Sequence, residues 1–154
     1  MLKLTKKADY GLIAMRHLAV APRAAASTKE ISTAYGIPLP LLSKVMQKLT
    51  KSGLLQSIAG TNGGYKLARD PRAITALEII RSLDGPIILT SCFTSHGECD
   101  QSERCTVREP LRQVHEAILG LLANMTVAEL SRDARPHTPV CSQPVPESQS
   151  LLVL

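Results

Sequence analysis

The spacing of apolar positions divides the chain into short helices, one hairpin and one long helix. Over residues 5–20, Tyr10, Ile13, Ala14, His17, Leu18 and Ala21 recur at helical intervals, which predicts an amphipathic helix that Pro22 ends. Ser27, Thr28, Lys29 and Glu30 have the capping-box order, Ser/Thr followed three residues later by Glu, and open a second helix that stops at Gly36. Pro38 and Pro40 start a third, since proline is tolerated in a first helical turn, and Gly53 closes it. Along this third helix Leu41, Leu42, Val45, Met46 and Leu49 make an apolar stripe, while Ser43, Lys44, Gln47, Lys48 and Lys51 make a polar, basic one. Two short strand-like runs then flank Gly60, Thr61, Asn62, Gly63 and Gly64, which predicts a β-hairpin over 54–67.

Beyond Asp70 and Pro71, the pair Thr75 and Glu78 caps a short helix running through Leu83 and ended by Gly85 and Pro86. Thr106 and Glu109 have the same capping spacing ahead of Leu111, Val114, Ile118, Leu121 and Met125, a heptad-like seam. About 18 helical residues at 1.5 Å each span roughly 27 Å. One amphipathic helix of that length outside a small domain calls for a partner, and dimerisation is preferred over packing on its own domain. Thr126 to Glu129 starts a last short turn. From Arg135 onward Pro136, Pro139, Pro144 and Pro146 lie among polar residues, the composition of a disordered tail.

Helix, glycine-containing turn and basic helix is the helix-turn-helix pattern, whose second helix enters the major groove. A hairpin directly after it is a wing. The expected fold class is therefore mainly α with a small β-hairpin wing. The expected organisation is a winged helix-turn-helix domain over 1–84, a cysteine loop over 85–106, a dimerisation helix with its terminal turn over 107–132, and the tail over 133–154.

Charge sharpens this reading. Residues 1–72 hold 12 Lys/Arg against 3 Asp/Glu, a net of +9, whereas residues 73–154 hold 6 against 10, a net of −4. So basic a half points to nucleic acid or an acidic membrane surface. No apolar run reaches the roughly 18 residues needed to span a bilayer. The basic N-terminus is followed by no apolar segment of a signal peptide, so a cytoplasmic protein is expected. Aromatic residues make up 3% of the chain, with Phe93 the sole Phe and no Trp, too few for the stacking platform of a single-strand binder. Duplex DNA is thus the expected partner. Its contacts would fall on Ser43, Lys44, Gln47, Lys48 and Lys51 of the third helix, with the wing lying along a neighbouring groove.

The remaining chemistry lies in Cys92, Cys99 and Cys105, separated by six and five residues, with no apolar residue from Thr94 to Arg104. Thiolates are soft ligands that select zinc, copper(I) or iron–sulfur clusters, and cytosolic disulfides are rare. Zinc sites usually pair cysteines at C-x₂₋₄-C spacing, which this loop lacks, so structural zinc ranks below an iron–sulfur cluster. A small redox enzyme or electron carrier ranks lower still. There is no C-x-x-C motif, nucleotide loop or substrate-site constellation, and no enzymatic activity is expected. The glycines of the hairpin tip lack the Lys-Ser/Thr signature of a phosphate loop. His96 reads as a solvated loop residue in preference to a ligand, His115 as a helix-surface residue, and Cys141 as a free thiol in the tail.

Several motifs together carry a family resemblance. These are the opening from Leu4 to Gly11, the wing Gly60-x-x-Gly-Gly-Tyr65-x-Leu67, Asp84-Gly-Pro ahead of Thr90-Ser-Cys92, the three-cysteine loop, and the ending from Thr126 to Leu130. Over roughly residues 1–132 the chain resembles the IscR/NsrR class of bacterial winged-helix regulators, the Rrf-two family, with the regulator of SUF-type iron–sulfur assembly as the nearest subgroup. The resemblance implies a homodimeric repressor on palindromic operator DNA. It also implies sensing of iron–sulfur status, nitric oxide or redox stress through a two-iron or four-iron cluster, and control of cluster-assembly genes.

Two positions depart from the IscR branch. Its fourth ligand is a histidine three residues after the last cysteine; here Arg108 stands there, and a permanently charged guanidinium cannot ligate. Its wing carries an arginine just before the first glycine; here that residue is Ala59, so the wing would lean on Thr61, Asn62 and Lys66. NsrR-like relatives use an aspartate from the first helix of the partner subunit, and Asp9 matches that position. Asp9 reads equally well as a helix-start carboxylate favoured by the helix dipole.

Overall fold

In the computed structural model, which describes residues 4–21, 23–61, 63–90, 93 and 104–132, helix α1 (Lys6–Val20) runs through the centre of the fold. Thr5 caps it by accepting from the Ala8 N–H at 3.3 Å. Its buried face is Ala8, Gly11, Ala14, Met15 and Leu18. The expected stripe is thus rotated by about one residue, and Tyr10, Ile13 and His17 are only partly buried. The reason is that α1 packs on several sides, against α3 (Leu39–Lys51), α4 (Ala76–Asp84) and α6 (Val127–Arg132). A single-face helix period describes a helix with one neighbour.

Helix α2 (Thr28–Tyr35) opens with the predicted capping box. The Glu30 N–H donates to the Ser27 hydroxyl, and the Glu30 carboxylate accepts from the Ser27 N–H. Those two bonds hold the Glu30 carboxyl below its ordinary pKa. Gly36 ends the helix in the left-handed region. In α3, Leu42, Val45, Met46 and Leu49 are buried, while Leu41, expected in the same stripe, is only partly covered.

The hairpin pairs β1 (Leu55–Ile58) with β2 (Gly64–Leu67) antiparallel, Leu55 opposite Leu67 and Ile58 opposite Gly64. Ala26 adds a bridge to its outer edge, exchanging hydrogen bonds of 3.1 and 2.9 Å with Tyr65. This bridge explains Gly64: a Cβ there would lie 2.5 Å from the Ala26 carbonyl oxygen. The wing is therefore fastened to the segment just ahead of α2.

A 3₁₀ turn (Pro71–Ala73) leads to α4, whose Thr75–Glu78 capping box forms as predicted. The long helix α5 (Arg108–Asn124) starts later than the Thr106–Glu109 pair predicts, and that capping box does not form. Val107 is the cap residue and makes no side-chain capping bond. The Glu109 carboxylate instead grips Arg112, which also bonds Glu116. A charge-assisted bidentate pair outcompetes a neutral backbone donor. Thr126 and Glu129, read from the sequence only as the start of a short turn, make a capping box with bonds of 2.7 and 3.2 Å. After α5 the chain returns to the core: Val127 is fully buried, and its N–H donates to the Ile74 carbonyl at 2.9 Å. The tail from residue 133, with Cys141, lies outside the described residues.

Two glycine substitutions separate close packing from open space. Gly64→Ala should lower stability by about 1–3 kcal/mol, since backbone atoms of Ala26 must move. Gly120→Ala should be neutral or stabilising by up to about 1 kcal/mol: nothing lies within 4 Å of the added methyl. Urea midpoints measure both, and equal losses would contradict this account of the wing root.

Candidate functional site

The outer face of α3 is polar and solvent-facing. Lys44, Gln47, Lys48 and Lys51 are exposed, and Ser43 is partly so. The Ser43 hydroxyl donates to the Leu39 carbonyl at 2.8 Å, which leaves its lone pairs for an outside donor. Gln47, Thr50 and Lys51 share a shallow cleft of about 230 Å³ with Ser57 and Tyr65, so helix and wing form one continuous surface. Lys66 is exposed on β2 opposite Gln56. Thr61 and Ala59 are exposed near the hairpin tip, whereas Asn62 lies outside the described residues.

Lys48 differs from the other lysines of this face. Its Nζ donates to the Leu83 carbonyl at 2.7 Å, a partner 35 residues away. Spacing along α3 places Lys48 among phosphate contacts, but the tertiary structure gives its ammonium another partner. Sequence reasoning also missed Arg23, which is exposed and lines a second cleft of about 230 Å³ with Ser27, Glu30, Thr61 and Gly63. That cleft joins the wing tip to the start of α2. The available signal was a basic residue just ahead of a capping box.

On the cysteine side, Cys105 is a partly exposed thiol, and Cys92, Cys99 and His96 lie outside the described residues. Phe93, next to Cys92, stacks its ring on His115 with centroids 5.3 Å apart and planes at 29°. His115 is therefore no surface residue. It is half-buried, and among the described residues its Nδ1 is enclosed without a hydrogen-bond partner. A buried unsatisfied group of this kind costs about 1–3 kcal/mol. Phe93 lies over the second turn of α5, and Cys105 stands three residues ahead of the same helix in the chain. A thiol and an imidazole nitrogen lacking a partner are donors suited to a soft or borderline metal centre. Among the described residues no three His, Cys, Asp or Glu side chains stand together as a metal site. Asp9 is exposed in the first turn of α1, and its carboxylate has no hydrogen bond or ion pair among the described residues.

Helix α5 has no buried residue. The predicted seam is uneven: Leu111 and Ile118 are partly covered, while Leu121 is 71% exposed and Val114 and Met125 also stand out. Among the described residues no helix is long and apolar enough to cross a membrane.

A helix-turn-helix with a basic second helix and an attached wing defines a winged-helix DNA-binding regulator. The profile of the Rrf2 family, described as an iron-dependent transcriptional regulator, matches residues 4–133, and the chain belongs to that family. It is 33% identical over 134 residues to the HTH-type transcriptional regulator NsrR of Geobacillus kaustophilus, covering 86% of this chain and 91% of that protein. It is 32% identical over 133 residues to the regulator IscR of Vibrio campbellii, covering 86% and 79%. The fold is similar to the solved structure of CymR, the global cysteine regulator of B. subtilis, with a TM-score of 0.72, 32% identity, and coverage of 86% and 98%. These relatives are transcriptional regulators and not enzymes.

DNA affinity should fall steeply with salt, because each neutralised phosphate contributes about −0.9 to the log–log slope on duplex DNA. Lys44→Ala should weaken binding and flatten that slope by about 1. Fluorescence anisotropy over a salt series tests both, and a wild-type affinity indifferent to salt would contradict the basic face as the DNA surface.

Proposed function

We propose that this regulator acts as a homodimeric repressor whose operator binding responds to an iron–sulfur cluster held by Cys92, Cys99 and Cys105, and that it controls genes of cluster assembly. One observation chiefly supports the reading. Phe93 is stacked on His115 of α5, and Cys105 stands just ahead of that helix in the chain. Identity to IscR and NsrR regulators over most of the chain points the same way.

Asp9, offered from α1 of the partner subunit, is the proposed fourth ligand. It stands exposed with an unengaged carboxylate, as a ligand across a two-fold interface requires. A second reading assigns this position to His115, and the enclosed, unpartnered Nδ1 favours it. When bound, the cluster supplies redox chemistry and a site of attack for oxidants or nitric oxide. The chain's own part is mechanical. Phe93 clamps the loop to α5. Thr5 and Asp84 fasten the start of α1 to the end of α4, from which the loop departs. Helix α1 in turn packs on α3, so a displacement of α1 reaches the DNA-facing helix.

Protein purified without oxygen should contain iron and sulfide and absorb in the visible. Alanine at Cys92, Cys99 or Cys105 should abolish this, and alanine at Cys141 should not. Asp9→Ala should leave a cluster that assembles poorly, with His96→Ala and His115→Ala like wild type. A defect in His115→Ala alone would transfer the ligand role to His115. Zinc without iron or sulfide would replace the cluster by a structural metal.

The dimer is assigned to the exposed apolar residues of α5. Leu121→Asp should place an unpaired charge in that interface, which is costly to bury. Sedimentation should then show monomer, and a variant that stays fully dimeric would place the dimer on another surface.

A further inference from the structure

Lys48 lies one turn beyond Lys44 on the face of α3 that carries the basic residues. By position alone it is a phosphate contact, yet one of its three ammonium donors is directed to the Leu83 carbonyl. Leu83 lies in the last turn of α4, where carbonyls lack intrahelical partners and the helix dipole leaves partial negative charge. An ammonium there makes a charge-assisted bond, stronger than a neutral one. Among the described residues this is the only hydrogen bond between α3 and α4.

The same turn of α4 is held from the other side. Thr5 donates to Asp84 through its N–H at 3.3 Å and its hydroxyl at 2.6 Å. The Leu83 side chain packs directly over Gly11 of α1. Apolar packing sets how closely α3 and α4 lie, and the Lys48 bond adds a directed contact at their exposed edge.

We propose that Lys48 is a positioning residue. Through the Leu83 carbonyl it sets the angle at which α3 is presented to the major groove, and it does not neutralise a phosphate. The inference rests on α3 being the DNA-reading helix. Its signature differs from that of a phosphate contact: a positioning residue governs discrimination between sequences, while a phosphate contact governs affinity for all of them.

The test uses the full-length protein and two duplexes of equal length. One is selected by the wild-type protein from a random-sequence pool, and the other is its scrambled counterpart. Each affinity is measured over a salt series. Lys48→Ala should lose about tenfold on the selected duplex, an effect like that of one mismatched base pair. On the scrambled duplex it should change by less than about twofold, with both salt slopes at the wild-type value. Lys48→Arg, whose guanidinium can reach the same carbonyl, should restore discrimination. Lys48→Met keeps the aliphatic stem without the donor, should behave like the alanine variant, and carries the test if the latter does not fold. Equal losses on both duplexes with a slope flattened by about 1 would show a phosphate contact and overturn the proposal. Unchanged affinities on both duplexes would overturn it as well. A wild-type protein that selects no sequence and shows no salt slope would instead defeat the DNA-reading assignment of α3.

Discussion

The close approach of α1 to α4 is the constraint on which the rest of the structure depends. A Cβ on Gly11 would lie 2.3 Å from a methyl carbon of Leu83. Ala8 and Ala14, both fully buried, continue the same small-residue surface. Because α1 presents so little side chain there, α4 can lie against it while α3 and α6 pack on its other sides. Core interiors are close-packed, and added volume forces off-rotamer side chains and backbone shifts.

Among the described residues no polar or charged residue is buried in this core. Directionality therefore comes from bonds at its rim. Thr5 to Asp84 ties α1 to α4, Lys48 to Leu83 ties α3 to α4, and Arg16 to the Leu130 carbonyl ties α1 to α6. Apolar burial supplies cohesion without fixing register, whereas hydrogen bonds have a preferred direction and length. The end of α4 takes part in two of these three ties, and it is also where the chain leaves for the cysteine loop. The wing is fixed by the same logic, through the backbone bridge between Ala26 and Tyr65.

One block thus presents two faces of different character. Helix α3 and the wing share a cleft and offer lysines to solvent. Helix α5 offers apolar side chains on a helix with no buried residue, and Phe93 stacks on its His115. A basic face suits a polyanion through long-range attraction, and an apolar face suits a second protein surface through burial. Membership in the Rrf2 family is consistent with this division.

The sequence by itself determined most of the features made by residues close together in the chain. The capping boxes at Ser27 and Thr75, the stop at Gly36, the hairpin around Gly60 to Gly64 and the two-faced character of α3 all formed as read. Their donors, acceptors and backbone angles are local, so the order of residues is enough to specify them. The three closely spaced cysteines and the basic first half were likewise legible, because composition and spacing carry them directly. Tertiary structure decided the rest. It rotated the buried face of α1, because three helices compete for it. It turned His115 inward under Phe93, 22 residues earlier in the chain, and engaged Lys48 with a carbonyl 35 residues later. At Thr106 even a local motif yielded to Arg112, one turn further along the helix. A side chain's role depends on the strongest partner within reach, and only the folded chain determines which partners those are.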